Sequence, residues 1–182
     1  MKKLDILKKI EQLSKQYNLP IIGSRKGEVL VNVIKEYKPK NILEIGTLIG
    51  YSAILMSLYL QKNGKITTIE INEKIAKVAE ENFRKAGLSS KVNLITGNAL
   101  EIIPKLKEKF DMLFLDAAKE EYYNYLKRAE PKLNKNAVIV ADNVGIFGNA
   151  MRDFLDYVKN SGKFTSKTYD FGFDAVEVSK RK

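Results

Sequence analysis

The hydrophobic residues at the start of this chain recur every three or four positions. This spacing predicts an amphipathic helix that ends before Pro20. Its apolar positions are Leu4, Leu7, Ile10, Leu13 and Tyr17. A second helical stretch is predicted over residues 27–37, and Pro39 stops it.

From residue 41 onward, short apolar runs alternate with helical stretches. The predicted strands are residues 41–45, 65–71, 92–96, 111–116, 137–141, 164–169 and 175–178. The predicted helices are residues 51–61, 73–87, 99–108, 119–133 and 147–160. Such alternation indicates right-handed crossovers and a parallel sheet, and the last two strands, joined without a helix, must be antiparallel. We therefore expect one α/β domain over residues 1–182, with a doubly wound, mostly parallel seven-stranded sheet and an antiparallel C-terminal hairpin.

Composition narrows the available chemistry. The chain contains no cysteine and no histidine, which excludes thiol nucleophiles, Ser-His-Asp triads and metal sites built on sulfur or imidazole. No window holds the ~18 apolar residues of a membrane span. The opening Met1-Lys2-Lys3-Leu4-Asp5 leads into the amphipathic pattern and not into a secretory apolar segment. We expect a cytoplasmic protein with no membrane partner.

The turn after the first predicted strand contains Gly46 and Gly50. A dinucleotide fingerprint needs a further glycine between them, where this chain has Leu48, so NAD is disfavoured. Glu44 lies beside the turn, where a carboxylate repels phosphates and suits a cationic ligand group. Glu70 ends the second strand, where a carboxylate can accept both hydroxyls of a ribose. Together these residues favour an adenosine ligand without a pyrophosphate.

The later strand ends carry further polar residues. Asn98 follows the third strand and either hydrogen-bonds a base or caps the next helix. Asp116, Asp142 and Asn143 end the fourth and fifth strands and form an all-oxygen donor set that suits Mg²⁺. The alternative is that the two acids only cap helices. Lys119, three residues after Asp116, is within reach of an oxygen bound to such a metal.

These motifs resemble those of the metal-dependent, S-adenosylmethionine-dependent O-methyltransferases of the catechol and caffeoyl-CoA type. The resemblance extends from about Gly23 to the C-terminus. It rests on Leu43-Glu44-Ile45-Gly46-Thr47 with Gly50-Tyr51-Ser52, on Thr68-Ile69-Glu70-Ile71, on Phe114-Leu115-Asp116-Ala117-Ala118-Lys119, and on Ala141-Asp142-Asn143-Val144. It implies a Rossmann-like class I methyltransferase fold, in which residues 39–182 form the cofactor- and metal-binding core and residues 1–38 cover the substrate side.

The resemblance also implies roles for individual residues. S-adenosylmethionine would be held by Glu44, Gly46, Tyr51, Ser52, Glu70, Asn98, Ala99 and Asp116. Mg²⁺ would be bound by Asp116, Asp142 and Asn143, and Lys119 would be the catalytic base. Because relatives are commonly dimers, a homodimer is implied. One departure concerns the acceptor: family members usually carry a longer substrate-covering insertion where this chain has only residues 144–148 before the next predicted helix.

Two acceptors remain open. The first is a catechol-like small molecule with vicinal oxygens, methylated on a hydroxyl with the help of Mg²⁺. The second is 5-hydroxyuridine in tRNA, because the net charge is +10 and residues 1–40 contribute +6 of it. Lys8, Lys9, Arg25 and Lys26 are the candidate phosphate contacts. A non-catalytic adenosine- or RNA-binding protein is a further alternative, which the complete set of Asp116, Lys119, Asp142 and Asn143 disfavours.

Overall fold

The computed structural model describes residues 3–182 and contains a single seven-stranded sheet. The strands are β1 (Asn41–Ile45), β2 (Lys65–Glu70), β3 (Val92–Thr96), β4 (Phe110–Leu115), β5 (Leu133–Ala141), β6 (Phe164–Asp170) and β7 (Ala175–Arg181). Their order across the sheet is β3-β2-β1-β4-β5-β7-β6. The strands β1 to β5 pair in parallel, and β7 runs antiparallel to both β5 and β6. The predicted doubly wound sheet with its antiparallel C-terminal hairpin is confirmed.

Helices cover both faces of the sheet. They are α1 (Lys3–Tyr17), α2 (Gly23–Tyr37), α3 (Tyr51–Ser57), α4 (Glu73–Lys85), α5 (Ala99–Ile102), α6 (Tyr122–Ala129) and α7 (Arg152–Asn160). Helices α1 to α4 pack on one face around Leu30, Ile54 and Phe83. Helices α5 to α7 pack on the other face around Tyr122 and Phe154. Among the helices described, none is long and apolar enough to cross a membrane.

Several helix boundaries differ from the sequence prediction. The second helix begins at Gly23 instead of residue 27, so that Lys26 lies within it. Pro104 shortens the predicted helix 99–108, because its ring nitrogen cannot donate the next helical hydrogen bond. The predicted helix 147–160 begins only at Arg152, and residues 144–151 form turns that follow the end of β5. Met1 and Lys2, which belong to the predicted opening segment, lie outside the described residues.

The carboxyl ends of the parallel strands lie side by side. The parallel hydrogen bonding continues one residue beyond three strands: Gly46 N donates to Ile69 O, Asp116 N to Ile45 O, and Asp142 N to Leu115 O. At Gly46 the φ angle is +97°, and a Cβ atom there would lie 2.0 Å from Asp116 O. Glycine is therefore required at position 46 by the neighbouring strand end, independently of any ligand.

Candidate active site

A cavity of about 350 Å³ opens at the carboxyl edge of the sheet. The predicted site residues that line it are Gly46, Tyr51, Ser52, Glu70, Asn98, Ala99, Asp116, Lys119, Asp142 and Asn143. The segment before α2, residues 20–22, closes one side. Of the predicted cofactor and metal residues, Glu44 alone is not at the cavity surface, and it lies directly behind Ser52. The structure thus brings the cofactor and metal candidates to one place.

Glu44 is a fully buried carboxylic acid behind the cavity wall. Its Oε1 accepts a 2.5 Å hydrogen bond from Ser52 Oγ, and its Oε2 has no hydrogen-bond partner among the described residues. Burial raises the pKa of Glu44 to about 7, although hydrogen bonds from Ser52 and Thr68 oppose that effect. An unpartnered carboxylate oxygen at this depth suits a cationic group arriving from the cavity.

Glu70 is held by two backbone amides. Leu48 N donates to its Oε2 at 2.8 Å, and Asn72 N donates to its Oε1 at 3.0 Å. Leu48 itself has a φ angle of +47°. Because each carboxylate oxygen can accept more than one hydrogen bond, Glu70 retains capacity for the two hydroxyls of a ribose.

Two predicted cofactor residues make contacts within the protein. Tyr51 lines the cavity, and its hydroxyl donates a 2.5 Å hydrogen bond to Glu11 of α1. The pKa of Tyr51 is raised by burial and by this carboxylate. Asn98 Oδ1 accepts from Leu100 N at 2.9 Å, so the capping alternative is observed. The other alternative, that Asn98 also hydrogen-bonds a base, stays a prediction.

Asp116 and Lys119 form an ion pair at the end of β4. Lys119 Nζ lies 2.8 Å from Asp116 Oδ1 and donates to Tyr122 Oη at 3.0 Å. The Tyr122 hydroxyl in turn donates to Leu115 O at 3.0 Å, and burial raises its pKa well above the ordinary value. Two contacts therefore hold the Lys119 ammonium at the cavity wall, beside the proposed metal ligand.

Asp142 is paired with a lysine that the sequence analysis had placed on the surface. Lys26 Nζ lies 2.7 Å from Asp142 Oδ1 and 2.7 Å from Asp174 Oδ2. Its side chain is buried in the protein, so the interpretation of Lys26 as an exposed phosphate contact is wrong. Burial and the charge of Asp116 raise the pKa of Asp142, and the ammonium of Lys26 opposes that shift.

Lys26 and Asp174 are two polar residues beside the candidate metal ligands whose position the sequence analysis missed. A signal for Lys26 was present: with the helix starting at Gly23, it shares the apolar stripe of Val29, Leu30 and Val33. A lysine on such a stripe needs a buried acidic partner. Asp174 gave no comparable signal, because it lies in a hairpin turn and is brought to the site only by the antiparallel pairing of β7 with β5.

The residues present fit a divalent cation of the Mg²⁺ type. Asp116, Asp142 and Asn143 offer two carboxylates and one amide oxygen around one cavity, which are the hard donors that Mg²⁺ prefers. No group of three or more His, Cys, Asp or Glu side chains within residues 3–182 is arranged to hold a metal. The candidate set has only two acids, so water or acceptor oxygens would have to complete the coordination.

A family profile and two similar curated proteins agree on one family of enzymes. A family profile described as O-methyltransferase matches residues 2–163. The mouse protein named catechol O-methyltransferase is 35% identical over 164 residues, covering 86% of this chain and 61% of that protein. The catechol O-methyltransferase of Niastella koreensis is 42% identical over 127 residues, covering 68% of this chain and 58% of that protein. The chain therefore spans about three fifths of the length of these two relatives.

The same fold occurs in solved structures. An O-methyltransferase from Bacillus cereus, determined in complex with SAH (S-adenosylhomocysteine), superposes with a TM-score of 0.88 at 28% sequence identity. The superposition covers 98% of this chain and 91% of the Bacillus chain.

Proposed function

We propose that this chain, which belongs to the O-methyltransferase family, transfers the methyl group of S-adenosylmethionine to a hydroxyl of a small molecule with vicinal oxygens, such as a catechol, and that it uses Mg²⁺. One observation carries the proposal. A single cavity is lined by Glu70, by the oxygen donors Asp116, Asp142 and Asn143, and by Lys119.

Glu70 and Glu44 interact with different parts of the cofactor. Glu70, fixed by the amides of Leu48 and Asn72, accepts the ribose hydroxyls. Glu44, with its unpartnered Oε2, provides negative charge for the cationic methionyl end. The turn from Gly46 to Gly50 then lies beside the adenosine, which carries no phosphate in this cofactor. The binding of SAH by the Bacillus relative supports this assignment.

Asp116, Asp142 and Asn143 would hold the metal at the end of the cavity where the acceptor binds. When bound, Mg²⁺ supplies positive charge that favours the ionised form of the acceptor hydroxyl. As the neutral amine, Lys119 Nζ accepts the proton of that hydroxyl and becomes the ammonium, and its contacts with Asp116 and Tyr122 determine where the group stands. Residues 20–22 limit access of water from one side of the cavity. Because opposite charges are neutralised during methyl transfer, exclusion of water assists the reaction.

The decisive experiment follows a labelled methyl group from S-adenosylmethionine. Catechols and unmodified total tRNA are offered side by side, with Mg²⁺ or with EDTA. We expect methylated catechol in Mg²⁺ and none in EDTA, with activity restored by added Mg²⁺. Asp142→Ala should abolish turnover and leave the affinity for SAH largely intact, because the ribose and the metal occupy different strand ends. Full turnover in EDTA would contradict the metal assignment.

Methylation of 5-hydroxyuridine in tRNA is the second candidate function. The observation that favours it is the exposed positive charge of Lys8, Lys9 and Arg25. The adjacent hydroxyl and carbonyl of that base would present two oxygens as a catechol does. We rank the small molecule first, because the whole cavity supports the chemistry, whereas only surface charge and the short segment 144–148 support RNA. A non-catalytic adenosine- or RNA-binding protein ranks below both and is expected to show no methyl transfer.

We further propose a homodimer, as the family resemblance implies, and a cytoplasmic location, as the amphipathic start of the sequence favours. Light scattering of the purified protein measures the mass directly, and a monomer at all concentrations would contradict the assembly.

A further inference from the structure

Asp174 contacts the candidate metal ligands without being one of them. It precedes β7, its side chain is buried, and its Oδ2 accepts hydrogen bonds from Asn143 Nδ2 at 2.8 Å and from Lys26 Nζ at 2.7 Å. Its Oδ1 accepts from Ile146 N at 3.2 Å. Both carboxylate oxygens are therefore used, and one of them is used by the amide of a proposed metal ligand.

The chemistry of this pair determines which way the Asn143 amide faces. An ionised carboxylate only accepts hydrogen bonds, so the amide nitrogen of Asn143 must be the atom that faces Asp174. The amide oxygen then lies on the opposite side of the group, and within residues 3–182 no hydrogen bond is made to it. Asn143 lines the cavity together with Asp116 and Asp142.

We propose that Asp174 is a positioning residue, which directs the Asn143 amide oxygen toward the metal bound by Asp116 and Asp142. This inference rests on the proposed function, since it assumes a metal at that donor set. Hydrogen bonds to the far side of metal ligands fix ligand orientation in the same way in other metal sites.

Lys26 completes the arrangement. Its ammonium lies within 3.0 Å of both oxygens of Asp142 and of Asp174 Oδ2, so it links the metal ligand to the positioning residue. Without it, two buried carboxylates would have lost their shared counter-charge. Through Lys26, helix α2 thereby holds Asp174 close to Asp142 at the end of β5.

The loop that carries Asn143 is pressed against the same turn. Val144 N donates to Ala175 O at 3.0 Å, and a Cβ atom on Gly145 would lie 2.7 Å from Ala175 N. These close backbone contacts leave Asn143 and Asp174 little freedom to separate, so the backbone itself keeps the two side chains within hydrogen-bond distance.

The test measures metal affinity directly, with Mn²⁺ as the probe, by calorimetry and electron paramagnetic resonance on the full chain. Asp174→Asn replaces the acceptor-only carboxylate with an amide that can also donate, so the Asn143 amide is no longer held in one orientation, and we expect Mn²⁺ affinity to fall about 10–100-fold. Asp170→Asn is the matched control: it removes the same charge from the same hairpin, where Asp170 contacts Gly172 N and not Asn143. We expect it to bind Mn²⁺ as the wild type does.

A donor–acceptor exchange separates positioning from simple structural support. In the double variant Asn143→Asp with Asp174→Asn, the amide at 174 can donate to the carboxylate at 143, and the net charge equals that of the wild type. We expect the exchange to recover most of the lost Mn²⁺ affinity. A double variant as weak as Asp174→Asn would overturn the proposal.

The outcomes distinguish this inference from the proposed function. Wild-type protein that binds SAH but no Mn²⁺ would overturn the metal dependence, and the positioning role with it. Wild-type and Asp174→Asn proteins with equal Mn²⁺ affinity would overturn the positioning role alone. Should Asp174→Asn fail to fold, NMR of the wild-type Asn143 side chain decides: the amide protons must stay protected when Mg²⁺ is added, while the amide carbon shifts. Loss of that protection would overturn the proposal.

Discussion

The backbone amide of Leu48 donates a 2.8 Å hydrogen bond to the carboxylate of Glu70. This contact joins the turn after β1 to the end of β2, so the carboxylate is oriented before any ligand arrives. The positive φ angle of Leu48 is part of the same arrangement. The residue that makes a dinucleotide site unfavourable is thus also the one whose amide holds the proposed ribose acceptor.

Glu70→Ala should weaken binding of SAH by about 1–3 kcal/mol, because the ribose loses a charge-assisted acceptor. The turn at Leu48 also loses its anchor, which acts in the same direction. Calorimetry measures the change, and Glu73→Ala serves as the control, since Glu73 is exposed and pairs with the exposed Lys77. Unchanged affinity in Glu70→Ala would remove Glu70 from the site.

Glu44 should make the ligand-free protein less stable as the pH rises. Its pKa in the folded protein is about 7, above the ordinary value of 4.5, so the folded state binds the extra proton between these values. The stability contribution is fully present below pH 4.5 and is lost as the pH rises through 7, with a slope of up to about 1.4 kcal/mol per pH unit. Urea unfolding at several pH values should show Glu44→Gln gaining on the wild type as pH increases. A constant difference across pH 5–8 would contradict the assignment.

Lys119→Ala should lower kcat by about 10²–10⁴-fold, the usual effect of removing a positioned base. The affinity for SAH should stay unchanged, because Lys119 lies on the acceptor side. Lys62→Ala is the control, because Lys62 is an exposed lysine in the turn before β2 and does not line the cavity. A rise in KM with kcat unaltered would instead make Lys119 a binding residue.

Salt dependence separates the two acceptors. Binding to single-stranded RNA should weaken with a log–log slope of about −0.7 for each phosphate contacted, whereas a catechol has no such dependence. Charge reversal at Lys8, Lys9 and Arg25 should act in the same direction on RNA only. Lys26 is left out of this set, because its charge is buried between two carboxylates. Efficient labelling of tRNA with negligible turnover of catechols would reverse our ranking.

Gly46→Ala should be severely destabilising. The added methyl group would lie 2.0 Å from the backbone of Asp116, which adds overpacking of about 1–3 kcal/mol to a backbone strain of similar size. Gly162→Ala is the matched control, with a φ angle of +77° and no atom within 4 Å of the added carbon. Thermal unfolding of both variants measures the difference, and equal losses would show that the contact with Asp116 is relieved at no cost.

The sequence predicted the sheet well because each buried strand is a short apolar run bounded by polar turns. It predicted that Glu70, Asp116 and Asp142 lie around one cavity, because each residue follows a parallel strand and the carboxyl ends of parallel strands lie at the same edge of the sheet. It could not predict the contact between Lys26 and Asp174. That contact depends on where α2 begins and on the register of an antiparallel hairpin, and neither is encoded in a local pattern.

The placement of Asp174 beside β7 has a consequence for the order of events during synthesis. Strand β7 inserts between β5 and β6, so β5 has one unpaired edge until residues 175–181 have left the ribosome. During that interval Lys26 has Asp142 but not Asp174, and Asn143 lacks the acceptor that orients it. The nascent chain can therefore form the proposed ribose site at the end of β2 early. The proposed metal ligands at the end of β5 reach their final arrangement only when β7 pairs with β5 and covers the exposed edge of the sheet.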